Sequence, residues 1–415
     1  MKKYFKGHLR DSTDFKLAFQ SLDLANDPNQ FTELEKLLQI LFLGQIVGLP
    51  TLNSILLKFS IVSNCRQIKY NRLCKLLTES KMRRIFEYVF EAHLIDILTS
   101  MSKKDSSCWS KSLVTVVLDD SIFRQWLRDN IDDYYGCYFS GQYKATVYGY
   151  KVVTLAVAID GLLYRLYFDF VRNDKTEKSV EVAQKLVKRW GKLVEKLKNQ
   201  GVELPALHFS CDSGYSDIGL SHSCASNYLT YISVPKKSHL IELSGEKIKL
   251  SDWISTDYLE LEQQHQEQQK ELSEDKKTPF IYRFRALYLA QNREVTFLAF
   301  RLNGSQKVSL IYSTDKHIFA KTLRRHWFQR TYVEQFFKLL KHVLKIQEAR
   351  SANKPNFEMK LYRFAFMAWH AQKLVLYVRR FCHHFDKKGF VSIQRILCSD
   401  DSLLDLLQDS VATNR

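Results

Sequence analysis

Four acidic side chains of this 415-residue chain stand where a fold could bring them to one site. Asp119 and Asp120 close the β-branched run "SLVTVVLDD", and Asp212 closes "ALHFSCD". Glu334 lies near the end of the chain, within "HWFQRTYVEQFFKLLK". Carboxylate oxygens are the ligands that Mg²⁺ prefers, and two such ions about 3.5 to 4 Å apart can stabilise the entering and leaving oxygens of a displacement at phosphorus. The residue types therefore suit metal-assisted phosphodiester chemistry, if the fold brings the acids together.

Each acid also has a structural explanation. Acidic residues are common in the turns that follow strands, and a helical glutamate surrounded by basic residues often forms only surface ion pairs. A further choice concerns the two neighbouring aspartates. Successive side chains of a strand point to opposite faces, so only one of Asp119 and Asp120 can face the site. The sequence alone leaves that choice open.

The late segment that contains Glu334 has the pattern of a helix docked on a core. With about 100° of rotation per residue, one outward stripe collects the charged side chains and the other face collects the apolar ones. The outward stripe comprises Arg330, Glu334, Lys338, Lys341 and Lys345. We therefore expect a helix that presents several basic groups and one carboxylate. Phosphate contact is one interpretation of those basic groups, and simple solvation is the other.

The segment from 112 to 235 predicts the element order βββαβαβ. The strands are predicted at 112–120, on either side of the Asp160–Gly161 turn in 149–171, at 206–212 and at 228–235. Helices are predicted between the third, fourth and fifth strands. If the first and fourth strands are neighbours, the acids that end them converge, and a helix packed alongside can add Glu334. We predict an α/β (α+β) core with a mixed five-stranded sheet.

The remaining segments predict additional domains around this core. Residues 1–105 have helical periodicity, and "SNCRQIKYNRLCKLL" fits either a helix-turn-helix-like DNA-binding unit or an ordinary helical bundle. Residues 236–312 predict an inserted antiparallel β segment with a solvated Gln/Glu-rich helix or loop, and residues 376–415 predict helices. The core then comprises 106–235 and 313–375, interrupted by the insertion.

Composition favours a polyanionic partner. Sixty-two basic residues against 45 acidic residues give a net charge of +17, which favours DNA, RNA or an anionic membrane. The longest apolar run is too short to span a bilayer, and the N-terminus lacks the apolar core of a signal peptide. The eight cysteines include no Cys-x-x-Cys pair, so neither a zinc site nor a disulfide framework is expected.

Several motifs together resemble the DDE-type transposases of bacterial insertion sequences, in the branch often called family four. "VVLDDS" is similar to the segment around the first acid of that family, "FSCDSGY" to the second, and "LIYSTDKHIFAKTL" to the segment that leads into the last helix. That helix carries a Tyr-Arg-Glu-Lys motif in the family. Arg330, Glu334 and Lys341 match its spacing, whereas Trp327 stands where the tyrosine is expected. The resemblance covers roughly residues 110–375.

The resemblance implies an RNase H-like catalytic core and assigns roles to individual residues. Asp119, Asp212 and Glu334 are implied to bind two Mg²⁺ ions, for which Mn²⁺ can substitute, with Asp120 as the alternative to Asp119. The DNA-binding residues are then Arg330 and Lys341, with Lys338 and Lys345 on the same stripe and an aromatic role for Trp327. Trp253, in the insertion, either holds a flipped base at the DNA end or packs in a core.

The implied function is DNA transposition by a cut-and-paste route, with metal-dependent cleavage at transposon ends and strand transfer into target DNA. The implied partners are end DNA with terminal inverted repeats, target DNA and a second copy in a homodimeric synaptic complex. A cytoplasmic, nucleoid-associated bacterial protein is expected. Two alternatives remain: another RNase H-like DNA nuclease or resolvase, and a non-catalytic DNA-binding descendant.

Overall fold

A computed structural model of the chain describes residues 78–103, 113–125, 132–141, 144–174, 176–270, 278–302, 305–348, 351 and 353–381. The basic segment proposed as a DNA-binding unit and the helices predicted after residue 381 lie outside these residues. In chain order the strands are β1 (Val114–Arg124), β2 (Tyr135–Ser140), β3 (Ala145–Ile159), β4 (Leu162–Phe170), β5 (Leu207–Ser210), β6 (Leu229–Ser233), β7 (Leu240–Leu243), β8 (Glu246–Lys249), β9 (Ile281–Tyr288), β10 (Arg293–Arg301) and β11 (Val308–Ser313). The helices are α1 (Glu79–Ser102), α2 (Ser179–Asn199), α3 (Ile218–Ser226), α4 (Leu250–Trp253), α5 (Leu259–Gln268), α6 (Ala320–Phe328), α7 (Arg330–Lys338) and α8 (Lys354–Phe381).

The described strands form one mixed α/β sheet that is mostly antiparallel. Its order is β2-β3-β1-β5-β6-β11-β10-β9-β7-β8, with β4 paired to the second half of β3. β1, β5 and β6 run parallel, and the other pairs are antiparallel. The five predicted strands are present as β4-β3-β1-β5-β6, and the first and fourth predicted strands are neighbours.

The predicted number of strands in the sheet, five, was too low. Eleven strands join it within the described residues, because the inserted strands continue the sheet instead of forming a separate one. The connection is made where Tyr312 and Ser313 of β11 pair with Ser233 and Ile232 of β6. The free edge of β6 offers unpaired backbone N–H and C=O groups, and β11 satisfies part of them. Strand β2, "YGCYFS", was missed by the sequence interpretation.

Strand β1 runs past the acids that were expected to end it. Its first five residues are buried, and it pairs with β3 along its whole length, from Val114 with Ile159 to Arg124 with Gly149. The long antiparallel partner keeps β1 extended, so that Asp119 and Asp120 lie inside the strand. The parallel neighbour β5 is shorter and ends at Ser210. The acids therefore lie just beyond the parallel pairing, not beyond β1 itself.

Two helical layers cover the central strands on opposite faces. Helix α2 packs its apolar stripe on the face formed by Val116, Leu118 and Phe209, which belong to the main core cluster. On the other face, Thr115 contacts His326 of α6, and Phe123 contacts Phe337 of α7. None of the helices in the described part of the chain is long and apolar enough to cross a membrane.

The predicted Asp160–Gly161 turn is confirmed, and it lies next to α7. Both residues have positive φ, 45° for Asp160 and 91° for Gly161, as a tight two-residue hairpin turn requires. A Cβ added at Gly161 would lie 3.2 Å from the Tyr332 hydroxyl, which is already a tight contact. Glycine therefore serves two purposes here: it permits the turn and leaves room for the helix that carries Glu334.

The single regular helix predicted from 326 onward was wrong in its detail. Helix α6 ends at Phe328, α7 begins at Arg330, and a π-helical turn follows at Leu339–Val343. Such a turn changes the rotation per residue, so the even stripe expected from Arg330 to Lys345 does not continue through it. Arg330 and Glu334 remain one regular helical turn apart. Lys341 and Lys345 lie in or after the π-helical turn, so they leave the stripe that was expected from regular helical rotation.

Candidate active site

The parallel pairing of β1 with β5 brings the first two acids together. Its register pairs Thr115 with His208 and Val117 with Ser210. If this register is continued by two residues beyond both strand segments, Asp119 lies beside Asp212. Asp212 begins a short 3₁₀ turn, and its Oδ1 accepts a hydrogen bond of 2.9 Å from the Gly214 amide. The local turn chemistry thus holds the Asp212 carboxylate at the end of β5.

The strand alternation separates Asp119 from Asp120. Asp119 shares its face with Thr115 and Phe123, the residues that contact α6 and α7. Asp120 points to the opposite face, where its Oδ2 accepts a hydrogen bond of 2.7 Å from the Tyr215 hydroxyl and lies 3.0 Å from Lys151 Nζ. Of the two aspartates, Asp119 is therefore the one that faces the Glu334 helix.

One arginine joins Asp119 to Glu334. The Arg330 Nη1 atom lies 2.9 Å from Glu334 Oε1 and 3.7 Å from Asp119 Oδ2. Arg330 and Asp119 are mostly buried, with 18% and 14% of their side chains exposed, while Glu334 is 37% exposed. The residues that were separated by more than two hundred positions in sequence thus meet on one face of the sheet.

The charge state of Asp119 reflects this crowded setting. Burial raises the pKa of Asp119 to about 7, and Arg330 opposes that rise. The neighbouring carboxylates raise it further: Asp120, Asp212 and Glu334. Burial likewise raises the pKa of Asp212, where Asp120 adds to the rise and Arg330 opposes it. The pKa of Asp119 therefore responds to the charges of the other three acids and of Arg330.

Lys341 belongs to this group, and the two outer lysines do not share its surroundings. Its Nζ lies 5.2 Å from the centroid of the Phe123 ring. Burial lowers the pKa of Lys341 to about 8, against the opposing effect of Asp120 and Asp119. Lys338 is exposed, and Lys345 is an exposed residue that pairs with Glu348 at 3.5 Å. Among the three predicted phosphate-binding lysines, Lys341 is the one whose pKa shows the influence of Asp120 and Asp119.

The two tryptophans of the predicted DNA-binding set have different environments. Trp327 is half-buried, and its ring centroid lies 5.9 Å from the Arg330 guanidinium carbon. Its position therefore fits an aromatic role beside the site. Trp253 is 1% exposed and packs against Phe284, with ring centroids 4.2 Å apart. A ring so deeply buried cannot receive a flipped base, so the structure favours the core alternative for Trp253.

Lys151 and Tyr215 were missed by the sequence interpretation. Both bind Asp120, as described above, and so hold the aspartate that does not face Glu334. Lys151 stands alone before eight buried apolar or small residues of β3, which is an unusual place for a lysine. Tyr215 follows Asp212 by three residues in "CDSGYSD". Lys151 lies opposite Ile122 in the register of β1 with β3, so a first strand that was predicted to end at Asp120 did not reach it.

A buried hydrogen bond fixes α6 on β1. Thr115 Oγ1 and His326 Nδ1 are 2.7 Å apart, and the ring centroids of His326 and His208 are 4.0 Å apart. Burial, aided by His208 and Arg325, lowers the pKa of His326 to about 3, so this imidazole stays neutral. Thr115 lies four residues before Asp119, and His326 lies four before Arg330. The bond thus links the two segments that supply the site.

Removal of the Thr115 hydroxyl should destabilise the protein. Thr115→Val keeps the strand-forming shape but leaves the buried His326 Nδ1 without its partner, so the free energy of unfolding should fall by about 1 to 3 kcal/mol. Urea denaturation at neutral pH measures the change. Thr296→Val is the matched control, because the Thr296 hydroxyl is equally buried yet has no hydrogen-bond partner among the described residues. Equal effects of the two substitutions would show that the Thr115–His326 bond contributes nothing.

The chemistry of the acidic side chains suits a divalent cation, but the distances between them do not form a metal site. Asp119, Asp212 and Glu334 supply only carboxylate oxygens, which suit Mg²⁺ or Mn²⁺. Burial, the main cause of the raised pKa of Asp119, makes the charged form of this carboxylate costly, and a divalent cation would offset that cost. Nevertheless, in the part of the chain that the structure describes, no three His, Cys, Asp or Glu side chains are close enough to hold one ion. Arg330 lies between two of the acids instead.

Comparison with known proteins gave matches only at the level of structure. No family model and no curated protein matches the sequence. The fold is similar to a piggyBac transposase in a synaptic complex with hairpin DNA, at 12% identity and a TM-score of 0.43, over 96% of this chain and 78% of that chain.

Endonuclease V of Ciona intestinalis is a second similar structure, in complex with a 24mer DNA that contains an inosine followed by a ribo-adenosine. The identity is 13% and the TM-score 0.27, over 56% of this chain and 84% of that chain. A further structure of that enzyme, with a 23mer DNA, covers 68% of this chain at 12% identity and the same TM-score of 0.27, over 95% of that chain.

Proposed function

We propose that the chain is a DNA transposase, which cuts DNA at the ends of a mobile element and joins those ends to target DNA. One observation carries the proposal. Asp119 lies on a central strand and Asp212 follows the end of its parallel neighbour, while Arg330 contacts both Asp119 and Glu334 of a late helix. The motifs that resemble DDE transposases are centred on these same residues, which supports an RNase H-like core.

Each residue of the site receives a role in this proposal. Asp119, Asp212 and Glu334 would hold divalent cations, which when bound stabilise negative charge on the entering and leaving oxygens of the phosphodiester. Lys341, whose pKa responds to the charges of Asp120 and Asp119, would bind a phosphate next to the scissile bond. Lys151 and Tyr215 hold Asp120 on the other face of β1. Trp327 supports the Arg330 side chain through its ring.

The excess of basic residues supplies the affinity for DNA. A net charge of +17 favours contacts to the phosphate backbone, which need no particular sequence. Recognition of terminal inverted repeats would require a separate reader, and the basic segment before residue 78 is the candidate. A homodimer that holds two element ends together would complete the assembly.

Strand joining is the experiment that tests this function. The full chain is mixed with a linear duplex that carries the gene's flanking DNA and a free 3′ hydroxyl, together with a supercoiled plasmid and Mg²⁺ or Mn²⁺. We expect covalent joining of the duplex to the plasmid, and chelation of the metal should abolish it because every proposed ligand is a carboxylate.

The same assay separates the alternatives. Metal-dependent nicking without joined product would identify a nuclease or resolvase and would contradict the transposase proposal. DNA binding without any cleavage would identify a non-catalytic DNA-binding protein. Full activity in excess chelator would remove the metal-dependent mechanism.

A further inference from the structure

The Arg330 guanidinium stands between two acids that the proposed function assigns to metal binding. A single nitrogen, Nη1, lies 2.9 Å from Glu334 and 3.7 Å from Asp119. A divalent cation shared by these carboxylates would need the same space or the space next to it. Positive charges so close together repel strongly in a half-buried site, because little water screens them. Arg330 in its present position and such a cation therefore exclude each other.

Arg330 has a hydrogen-bond donor that the two acids do not use. Its Nε atom is buried and has no hydrogen-bond partner within the described ranges. A guanidinium offers five N–H donors in a planar fork that matches the geometry of a phosphate. The Trp327 ring centroid, 5.9 Å from the guanidinium carbon, gives the cation a contact besides the two acids. A DNA phosphate at the site could therefore draw Arg330 away from Asp119.

We propose that Arg330 is a latch that fills the place of a cation until DNA binds. The proposal rests on the function proposed above, and it adds a regulation of that same site. Without DNA, Arg330 neutralises Asp119 and Glu334 and keeps their affinity for divalent metal low. A bound phosphate competes for the guanidinium, and the released carboxylates then take up the metal. Because such coupling is reciprocal, metal and DNA each strengthen the binding of the other. The protein would thus carry a loaded catalytic centre only on DNA.

Metal binding without DNA gives the decisive measurement. Mn²⁺ is titrated into the full chain, and free Mn²⁺ is followed by electron paramagnetic resonance. Arg330→Gln removes the positive charge and keeps a helix-forming side chain, so its Mn²⁺ affinity should exceed that of the wild type by at least about tenfold. Arg330→Lys keeps the charge and should stay close to the wild type. Addition of a short duplex should raise the affinity of the wild type toward that of Arg330→Gln.

Arg83→Gln is the matched control. Arg83 also pairs with a glutamate one helical turn later, at 3.2 Å from Glu87, but in helix α1. The Arg83→Gln substitution removes the same charge from the protein, and it should leave the Mn²⁺ affinity unchanged. If Arg330→Gln does not fold, as judged by circular dichroism, the comparison of wild type with and without the duplex remains.

The outcomes separate the latch from the function. If the DNA-free wild type binds Mn²⁺ as tightly as Arg330→Gln, or as tightly as it does with the duplex, the latch is wrong although the transposase proposal stands. If neither the wild type nor Arg330→Gln takes up Mn²⁺ under any condition, the metal-dependent function itself is wrong.

Discussion

Glu334→Gln should abolish DNA cleavage while DNA binding persists. The substitution keeps the shape and helix propensity of the side chain but removes the negative charge that would hold a cation, so cleavage should fall by at least about 100-fold. Binding should be kept or strengthened, because a carboxylate next to the DNA phosphate is lost and Arg330 is freed from its partner at 2.9 Å. Plasmid cleavage and a binding titration on the same preparation measure the two effects.

The structural interpretation of Glu334 makes a different prediction. If the residue only forms a surface ion pair, its loss costs about 0 to 1 kcal/mol of stability and catalysis stays nearly intact. Glu348→Gln is the control, because Glu348 is a 55% exposed glutamate of the same segment that pairs with Lys345. It should cut DNA like the wild type. Cleavage by Glu334→Gln at the wild-type rate would exclude Glu334 as the third acid.

Asp119→Asn should make the protein more stable while it removes activity. The pKa of Asp119 rises from 3.8 to about 7 on folding because of burial, so the folded state binds the proton more tightly than the unfolded state. The free energy of unfolding of the wild type therefore falls as pH increases from about 4 to about 7, and stays at the lower value above that. Asparagine cannot ionise and avoids this loss. At about 1.36 kcal/mol per pKa unit, the gain at pH 8 is at most roughly 4 kcal/mol.

Urea denaturation in chelator, at pH 8 and at pH 5, measures this gain. The stability difference between Asp119→Asn and the wild type should narrow at the lower pH, where the wild-type carboxyl is largely protonated. Asp120→Asn is the control, because it removes the negative charge that pairs with Lys151 at 3.0 Å, while the amide oxygen can still accept a hydrogen bond from the Tyr215 hydroxyl. It should destabilise the protein or leave its stability unchanged. A loss of stability in Asp119→Asn at pH 8 would contradict the assigned burial cost.

The contrast between these neighbouring aspartates shows where the sequence stops being informative. Alternation along a strand requires that Asp119 and Asp120 face opposite ways, and the sequence reveals that requirement. Which face carries which helix depends on contacts that are remote in the chain, such as Thr115 with His326 and Phe123 with Phe337. Only the packed structure assigns Asp119 to the side of Glu334.

Other elements divide in the same way. The order of the five central strands and two intervening helices followed from local periodicity, because each pattern spans fewer than about 20 residues and needs no distant partner. The length of β1 did not follow from local periodicity, because its pairing with β3 keeps the strand extended past Asp119 and Asp120. The junction of β11 with β6 also depends on a free strand edge that no local pattern reveals.

By itself, the sequence determined the kinds of residue at the site and the segments that carry them: acids in two strand-forming segments, a basic late helix and a large positive charge. The tertiary structure decided their relations. It placed Arg330 between Asp119 and Glu334, buried Trp253 in the core, and brought Lys151 and Tyr215 to Asp120. The physical reason is that residue types and local periodicity are properties of short segments, whereas distance, burial and charge coupling arise only when remote segments pack together.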